Sequence, residues 1–160
     1  MQQQRIMKKV DDSYSEHVQS VTQGSLNGSL RLFGGQLLQW IDVLAAVVAR
    51  RHCQCPVTTV AIDSLQFLGP AYANDTIVMR GKVTYVGQTS MEICVHSYVE
   101  HLDGRRKLIN TAYFIMVALD ENERPRQVPG LVLETDEQKA DWEAGLRRYE
   151  LRKQRRKEHF

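Results

Sequence analysis

The sequence predicts an α+β fold, in which one long buried helix is wrapped by a curved antiparallel sheet of about five to six strands and a further helix closes the chain. Three observations carry this. From Gln36 to Arg51, within a helix expected over Gln36–His52, the chain is apolar nearly all round, the pattern of a buried helix. Four runs then follow, Val57–Leu68, Thr76–Val86, Ser90–His101 and Lys107–Leu119, all rich in Val, Ile, Thr, Tyr and Phe. The connections between them are short, and short links between successive strands favour antiparallel pairing.

Taken in order, Ser15–Gln23 alternates loosely and reads as a first strand. Gly24-Ser25-Leu26-Asn27-Gly28-Ser29 then forms a loop leading to Leu32-Phe33-Gly34-Gly35 and the long helix. Turn signals lie at Gly69-Pro70 through Asn74-Asp75, at Gly87-Gln88-Thr89 and at Asp103-Gly104. After a polar loop from Asp120 to Pro125 and a second proline at Pro129, Thr135-Asp136-Glu137-Gln138 has the form of a capping box that starts the last helix. Trp142, Leu146 and Tyr149 give that helix a narrow apolar stripe, so it is expected to dock only lightly. The chain is accordingly divided into a domain over residues 1–130 and a basic helical extension over residues 131–160. One sheet over one helix leaves an edge and a face uncovered, which predicts self-association.

Composition excludes several function classes. With 160 residues, 42 % hydrophobic, 25 % charged and a net charge of +2, the body is an ordinary globular domain with nothing that demands nucleic acid. The positive excess is local: Arg147, Arg148, Arg152, Lys153, Arg155, Arg156 and Lys157 crowd the last helix. A solvated face complementing the helix dipole is the simpler reading of that cluster, and an anionic partner is the other. No apolar run reaches the length of a membrane span, and the segment Met1-Gln2-Gln3-Gln4 lacks the apolar core of a signal peptide, so a cytoplasmic location is expected. Three cysteines give no disulfide framework, and Cys53-Gln54-Cys55 is too closely spaced for a zinc knuckle; reduced thiols and no metal are expected. His52, with Arg50 and Arg51, suits a helix C-terminus. Neither a Gly-x-Ser-x-Gly elbow nor a phosphate loop ending in Gly-Lys-Ser/Thr is present.

Chemistry concentrates at the start of the long helix. The paired Gly34 and Gly35 let a loop bring its backbone N–H groups close to a ligand, and the helix dipole adds positive potential there, so these groups can hold a developing oxyanion. The single acid of the helix, Asp42, shares a face with Gly35, Gln39, Ala45, Ala46 and Ala49, while Leu38, Trp40, Ile41, Leu44, Val47 and Val48 carry the bulk elsewhere. A carboxylate in such a helix must be paired, protonated or near solvent. Small neighbours leave room for a substrate or for a closely packed second element. A structural ion pair with an arginine is the plain alternative to a catalytic role.

Read together, Asn27, Arg31-Leu32-Phe33-Gly34-Gly35, Asp42, Val57-Thr58-Thr59, Phe67 ahead of Pro70, and Gly87-Gln88-Thr89-Ser90-Met91 resemble the hotdog-fold acyl-CoA thioesterases, in particular the long-chain acyl-CoA hydrolase group. The resemblance runs from about Ser13 to Pro129. It implies a sheet curved around the central helix, edge-to-edge dimers and active sites at the dimer interface; a dimer and a trimer of dimers both remain open. It also implies catalysis by Asp42 and Asn27 from opposite sides of that interface, with the oxyanion held by N–H groups at Gly34 and Gly35. Thr58 and Thr59 are implied substrate contacts, and the turn bearing Gly87, Thr89 and Ser90 is implied to receive the CoA phosphates. The family often carries Gly where this chain has Leu30.

By position alone, Arg31, Arg80 and Lys82 are further phosphate candidates, although Arg80 and Lys82 alternate with Ile77, Met79 and Val83 as a solvent-facing strand surface would. His96 is expected to face solvent or a neighbouring strand. The leading expectation is hydrolysis of an acyl-CoA thioester, with Asp42 as general base or nucleophile and no cofactor beyond the CoA of the substrate. A thiolate leaves readily, so no strong general acid is required. Two rivals are a non-catalytic acyl-CoA sensor or scaffold that uses the basic tail, and a dehydratase, which would want a His within reach of the acid; His52 lies at the wrong end of the helix.

Overall fold

In the computed structural model, which describes residues 3–160, the central helix α1 runs over Gly34–Cys53. It buries Leu37, Ile41, Leu44, Ala45, Val48 and Ala49 against the concave face of a five-stranded sheet. In chain order the strands are β1 (Met7–Lys9), β2 (Ser15–Ser20), β3 (Val57–Phe67), β4 (Thr76–Val86), β5 (Ser90–Glu100), β6 (Arg106–Ala118) and β7 (Gly130–Val132). The main sheet has the order β2-β4-β5-β6-β3 and is antiparallel throughout, leaving β2 and β3 as edges. Inward residues Ile77, Met79, Ile93, Phe114 and Met116 alternate with outward ones and meet the helix. Gly81 sits where α1 crosses β4: a Cβ there would lie 3.0 Å from Val48 Cγ2, so its absence sets how closely helix and sheet approach.

The expected helix and the four long strands are present with ends shifted by no more than two residues. The first strand stops at Ser20 rather than Gln23, because Gln23–Ser25 closes into a single 3₁₀ turn. The Asp103-Gly104 signal makes the β5–β6 hairpin, with Gly104 at φ 87° and its N–H donating to the His101 carbonyl at 2.9 Å. A second, two-stranded sheet was not legible in the sequence: β1 pairs in parallel with β7. Strands of three residues are too short to show a period. The division at residue 130 falls inside β7, which ties the N-terminal segment to the chain leading into the last helix.

That helix, α2 (Asp136–Lys157), starts where the capping signal places it. Thr135 Oγ1 accepts from Gln138 N–H at 3.1 Å, but the Gln138 side chain receives the N–H of Glu134, one residue before the cap, instead of closing the box on Thr135. Its packing corrects the expectation of a lightly docked, solvated helix. α2 covers the outer face of the sheet, stacking Trp142 on Tyr85 with ring centroids 4.5 Å apart and Tyr149 on Tyr85 at 5.5 Å. Gly145 permits this approach, since a Cβ would meet Tyr85 Cβ at 2.6 Å.

Beneath α2, the fully buried Glu92 carboxylate receives Arg148 Nε and Nη2 at 2.9 and 2.7 Å and the Thr84 hydroxyl at 2.6 Å. Asp63 receives Arg152 at 2.9 Å and Arg155 at 2.6 Å. Three of the seven clustered cations are therefore tied to acids of the sheet. Lys82 joins them: it pairs with Asp141 and Glu137 of α2 at 2.7 and 3.3 Å, so it is not a solvent-face lysine. Arg80 does face solvent and pairs with Glu16.

Candidate functional site

Phe33 caps α1 without a side-chain hydrogen bond; its carbonyl accepts from Gln36 and Leu37 at 3.0 and 3.1 Å. The N–H groups of Gly34 and Gly35 make no hydrogen bond among the described residues, as the first turn of a helix requires. The loop that aims them is fixed by Phe33 N–H donating to Ser25 and Leu32 N–H donating to Ala71, at 2.8 and 2.7 Å. Aromatic rings flank both glycines. A Cβ on Gly35 would meet the Phe33 ring at 2.6 Å, and one on Gly34 the Phe67 ring at 3.3 Å. These rings are 55 % and 54 % exposed, so a patch of apolar surface surrounds two free amide donors at the positive end of a 20-residue helix.

Two turns further along, Asp42 lines an open cavity of about 340 Å³ together with Gly35, Leu38 and Gln39 of α1, Thr59 and Ile62 of β3, and Phe114 of β6. The Thr59 hydroxyl donates to Asp42 Oδ1 at 2.7 Å. No cation pairs with Asp42 among the described residues. The sequence reading placed this carboxylate in buried surroundings; it is instead half-exposed at the cavity mouth, because β3 is an edge strand and leaves that side of α1 uncovered. An acid held by one neutral hydroxyl, facing apolar walls and reachable by water, has the surroundings of a general base. Neither Cys53 nor Cys94 competes as a nucleophile: burial pushes both thiols up to about 12, which leaves almost no thiolate near neutral pH.

The other candidates are dispersed. Asn27 stands outside the cavity, in the loop before α1, where its Oδ1 accepts from Ser29 and Arg31 N–H at 2.9 and 3.2 Å; its side-chain NH₂ remains available as a donor. That turn places Leu30 at φ 59°, the left-handed region that favours glycine. Leu30 is largely exposed, so replacing it discards little packing. Leu30→Gly is therefore expected to raise stability by up to about 1 kcal/mol in chemical denaturation, by relieving the left-handed backbone.

Arg31 is exposed and lines no part of the cavity. Thr58 lies next to Thr59 on β3, so strand alternation puts its side chain on the opposite face from Asp42. Gly87, Thr89 and Ser90 form a tied hairpin turn away from the cavity, in which Gly87 N–H donates to the Ser90 carbonyl at 2.9 Å. The Gly87 carbonyl accepts from Arg5 at 2.6 Å and the Thr89 carbonyl from Ala118 at 3.0 Å. His96 is half-buried beside Cys94, with burial holding its pKa below the usual histidine value. His52 is buried and meets the Pro129 carbonyl at 2.9 Å, a link between the end of α1 and the approach to β7.

Ile62 and Phe114 escaped the sequence reading. Simple alternation from Thr59 sends Ile62 to the far face; a register shift between Thr59 and Ala61 restores it to the same side, and bulges leave no periodic signal.

Comparison with known proteins adds independent findings. A family profile described as the thioesterase superfamily matches residues 31–103. An uncharacterized acyl-CoA thioester hydrolase of Bacillus subtilis is 39 % identical over 132 residues, covering 82 % of this chain and 77 % of the relative. An acyl-CoA hydrolase variant from Staphylococcus aureus, solved in complex with coenzyme A, superposes with a TM-score of 0.93 at 32 % identity, covering 98 % of this chain and 94 % of that one. A hexameric acyl-CoA thioesterase solved in its apo form superposes with a TM-score of 0.90 at 34 % identity, covering 94 % and 97 %. In the Staphylococcus aureus enzyme, alanine variants have been characterized at an asparagine, an aspartate and a threonine whose mutual spacing equals that of Asn27, Asp42 and Thr59 here.

Proposed function

This chain belongs to the thioesterase superfamily, and from that premise we propose that it hydrolyses acyl-CoA thioesters to the free acid and CoA, with Asp42 as general base. The observation that carries the assignment is Asp42 itself: a carboxylate oriented by Thr59, paired with no cation among the described residues, at the mouth of an apolar-walled cavity. The acyl chain lies against Leu38, Ile62 and Phe114. A water beside Asp42 gives up its proton as it attacks the thioester carbonyl, the N–H groups of Gly34 and Gly35 receive the oxyanion, and collapse of the tetrahedral intermediate expels the CoA thiolate. A single turnover in ¹⁸O-water tests the role of Asp42: a general base sends solvent label to the released acid and none to the protein, whereas a nucleophilic Asp42 forms a mixed anhydride with the acyl group, and its hydrolysis at the Asp42 carbonyl leaves the first acid unlabelled and the label on Asp42. The chemistry draws on no cofactor, and the three free cysteines fit the reducing cytoplasm where the sequence reading places the enzyme.

Helix geometry indicates that the site needs two copies of the chain. From Gly35 to Asp42 the helix advances ~10 Å. The free N–H groups point out of the N-terminal end, away from Asp42, so one protomer does not aim both at a single carbonyl carbon. Homo-oligomeric assembly, with Asp42 of one protomer facing the glycine pair and Asn27 of another, brings them together and covers the exposed Phe33 and Phe67.

The competing reading, a non-catalytic acyl-CoA sensor, keeps the cavity but gains nothing from Asp42. Following free thiol release from acyl-CoAs of graded length separates the two, because a sensor releases none. Thr59→Val removes the hydroxyl at nearly constant volume. It is expected to lower kcat about tenfold with KM little changed, the scale of one lost hydrogen bond to a charged group.

A further inference from the structure

A pair of thiols closes α1 at the end opposite its glycine pair. Gln54, the cap residue, takes the left-handed conformation at φ 54°, and its N–H donates to the Arg50 carbonyl at 2.8 Å. Such a turn has the span of a helical one, so the Cα atoms of Cys53 and Cys55 lie ~5.4 Å apart, inside the ~4.4–6.8 Å that a disulfide bridges. The side chains already meet. The Cys55 thiol donates to Cys53 Sγ at 3.1 Å, and the Cys53 thiol donates to the Cys55 carbonyl at 3.5 Å. Among the described residues, no third His, Cys, Asp or Glu joins them as a metal site requires.

A cavity of about 420 Å³ opens beside this turn, between the N-terminal segment and the chain leading into β7. Cys53 and Gln54 line it together with Arg5, Lys8 and Arg126. Arg5 donates to the Val128 and Gly87 carbonyls and Lys8 to that of Arg51. None of the three cations pairs with an acid among the described residues, and no described acid lines the cavity. Three uncompensated cations beside a thiol draw in an anion. Cys53 is 7 % exposed and burial pushes its thiol up to about 12, so half-buried Cys55 is the member of the pair that meets a reagent first.

We propose that Cys53 and Cys55 form a redox-active dithiol, oxidised to an intramolecular bond by a small anionic disulfide of the glutathione type that Arg5, Lys8 and Arg126 hold beside the turn. Cys55 Sγ gives up its proton, attacks one sulfur of the reagent and expels the first thiolate. Cys53 Sγ then attacks Cys55 Sγ, breaks the mixed disulfide and expels the second. The two cysteine protons leave on the two released thiols, so two protein thiols are oxidised and one external disulfide is reduced. A loop of three residues removes little entropy from the unfolded chain, so the bond is not a structural brace. So small a ring is strained, and strained disulfides are the readily reduced ones, which makes the modification reversible. The bond joins the end of α1 to the approach to β3, the two elements that carry Asp42 and Thr59.

The test is incubation of the reduced full chain with glutathione disulfide, followed by intact mass and by thiol titration after denaturation. The expected product is two hydrogens lighter than the parent, keeps only Cys94 of its three thiols and carries no cross-link between chains; excess reduced glutathione restores all three. Cys53→Ser is expected to stop at a glutathione adduct on Cys55, and Cys55→Ser to react about tenfold more slowly or not at all. Arg126→Ala, at an exposed position, is expected to slow oxidation by glutathione disulfide about tenfold without slowing oxidation by cystamine, a cationic disulfide. A parent chain that stops at the adduct or cross-links to a second copy overturns the dithiol, as does a Cys55→Ser variant oxidised at the parent rate. An Arg126→Ala variant that treats both disulfides as the parent does, or slows both equally, overturns the part given to the cavity.

Discussion

Asp42→Asn is expected to lower kcat for acyl-CoA hydrolysis by at least about 10²-fold while leaving the unfolding midpoint close to that of the parent protein. The substitution keeps the shape of the side chain and an oxygen that can still accept from Thr59, so the 2.7 Å hydrogen bond to β3 and the cavity wall survive. What disappears is the capacity to take a proton from water. Because Asp42 is half-exposed and pairs with no cation among the described residues, the change orphans no buried charge, and a loss of activity cannot be ascribed to a collapsed fold. KM should change little, since Leu38, Ile62 and Phe114 provide the apolar contacts. Turnover equal to that of the parent protein would remove Asp42 from the reaction.

Sequence patterning reached this residue for a reason that holds only in part. From Trp40 to Ala49 the helix carries no polar side chain other than Asp42, and an acid there stands out. An apolar helix is nevertheless not buried on every side in one protomer: Val43 is exposed and Trp40 and Val47 are half-buried, along the stripe not covered by the sheet. Periodicity reports which residues avoid water in the final assembly, and it does not tell sheet from partner subunit. The strands were legible because β-branched runs of eleven to thirteen residues show their period; β4 was read with both ends correct. Thr59 beside Asp42 is a contact between residues seventeen apart and has no local signature beyond the family resemblance. Glu92 was missed for the opposite reason. Between Met91 and Ile93 it occupies an outward position, which alternation assigns to solvent, and only the tertiary placement of α2 buries it.

That burial makes the Glu92–Arg148 pair the largest expected stability effect in the chain, and an asymmetric one. The Glu92 side chain is 0 % exposed and that of Arg148 is 22 % exposed. Arg148→Met leaves a carboxylate sealed under α2 with the Thr84 hydroxyl and Arg152, 3.8 Å away, as its remaining partners, and is expected to cost about 3–5 kcal/mol. Glu92→Met leaves a guanidinium that can turn to water, or stay over the Tyr113 ring 3.8 Å from its centroid, and should cost less. The double variant removes both charges together and should recover most of the loss, since a desolvated pair replaced by apolar groups of similar volume is close to neutral. Urea unfolding of the three variants reads this order directly. If Arg148→Met were as stable as the parent, α2 would be the loosely attached helix its sequence first predicted, and truncation after Leu133 would leave the sheet intact. With the pair in place, removing α2 instead strips the packing from Tyr85 and uncovers Glu92 and Asp63, so the last helix belongs to the same cooperative unit as the sheet that carries the site.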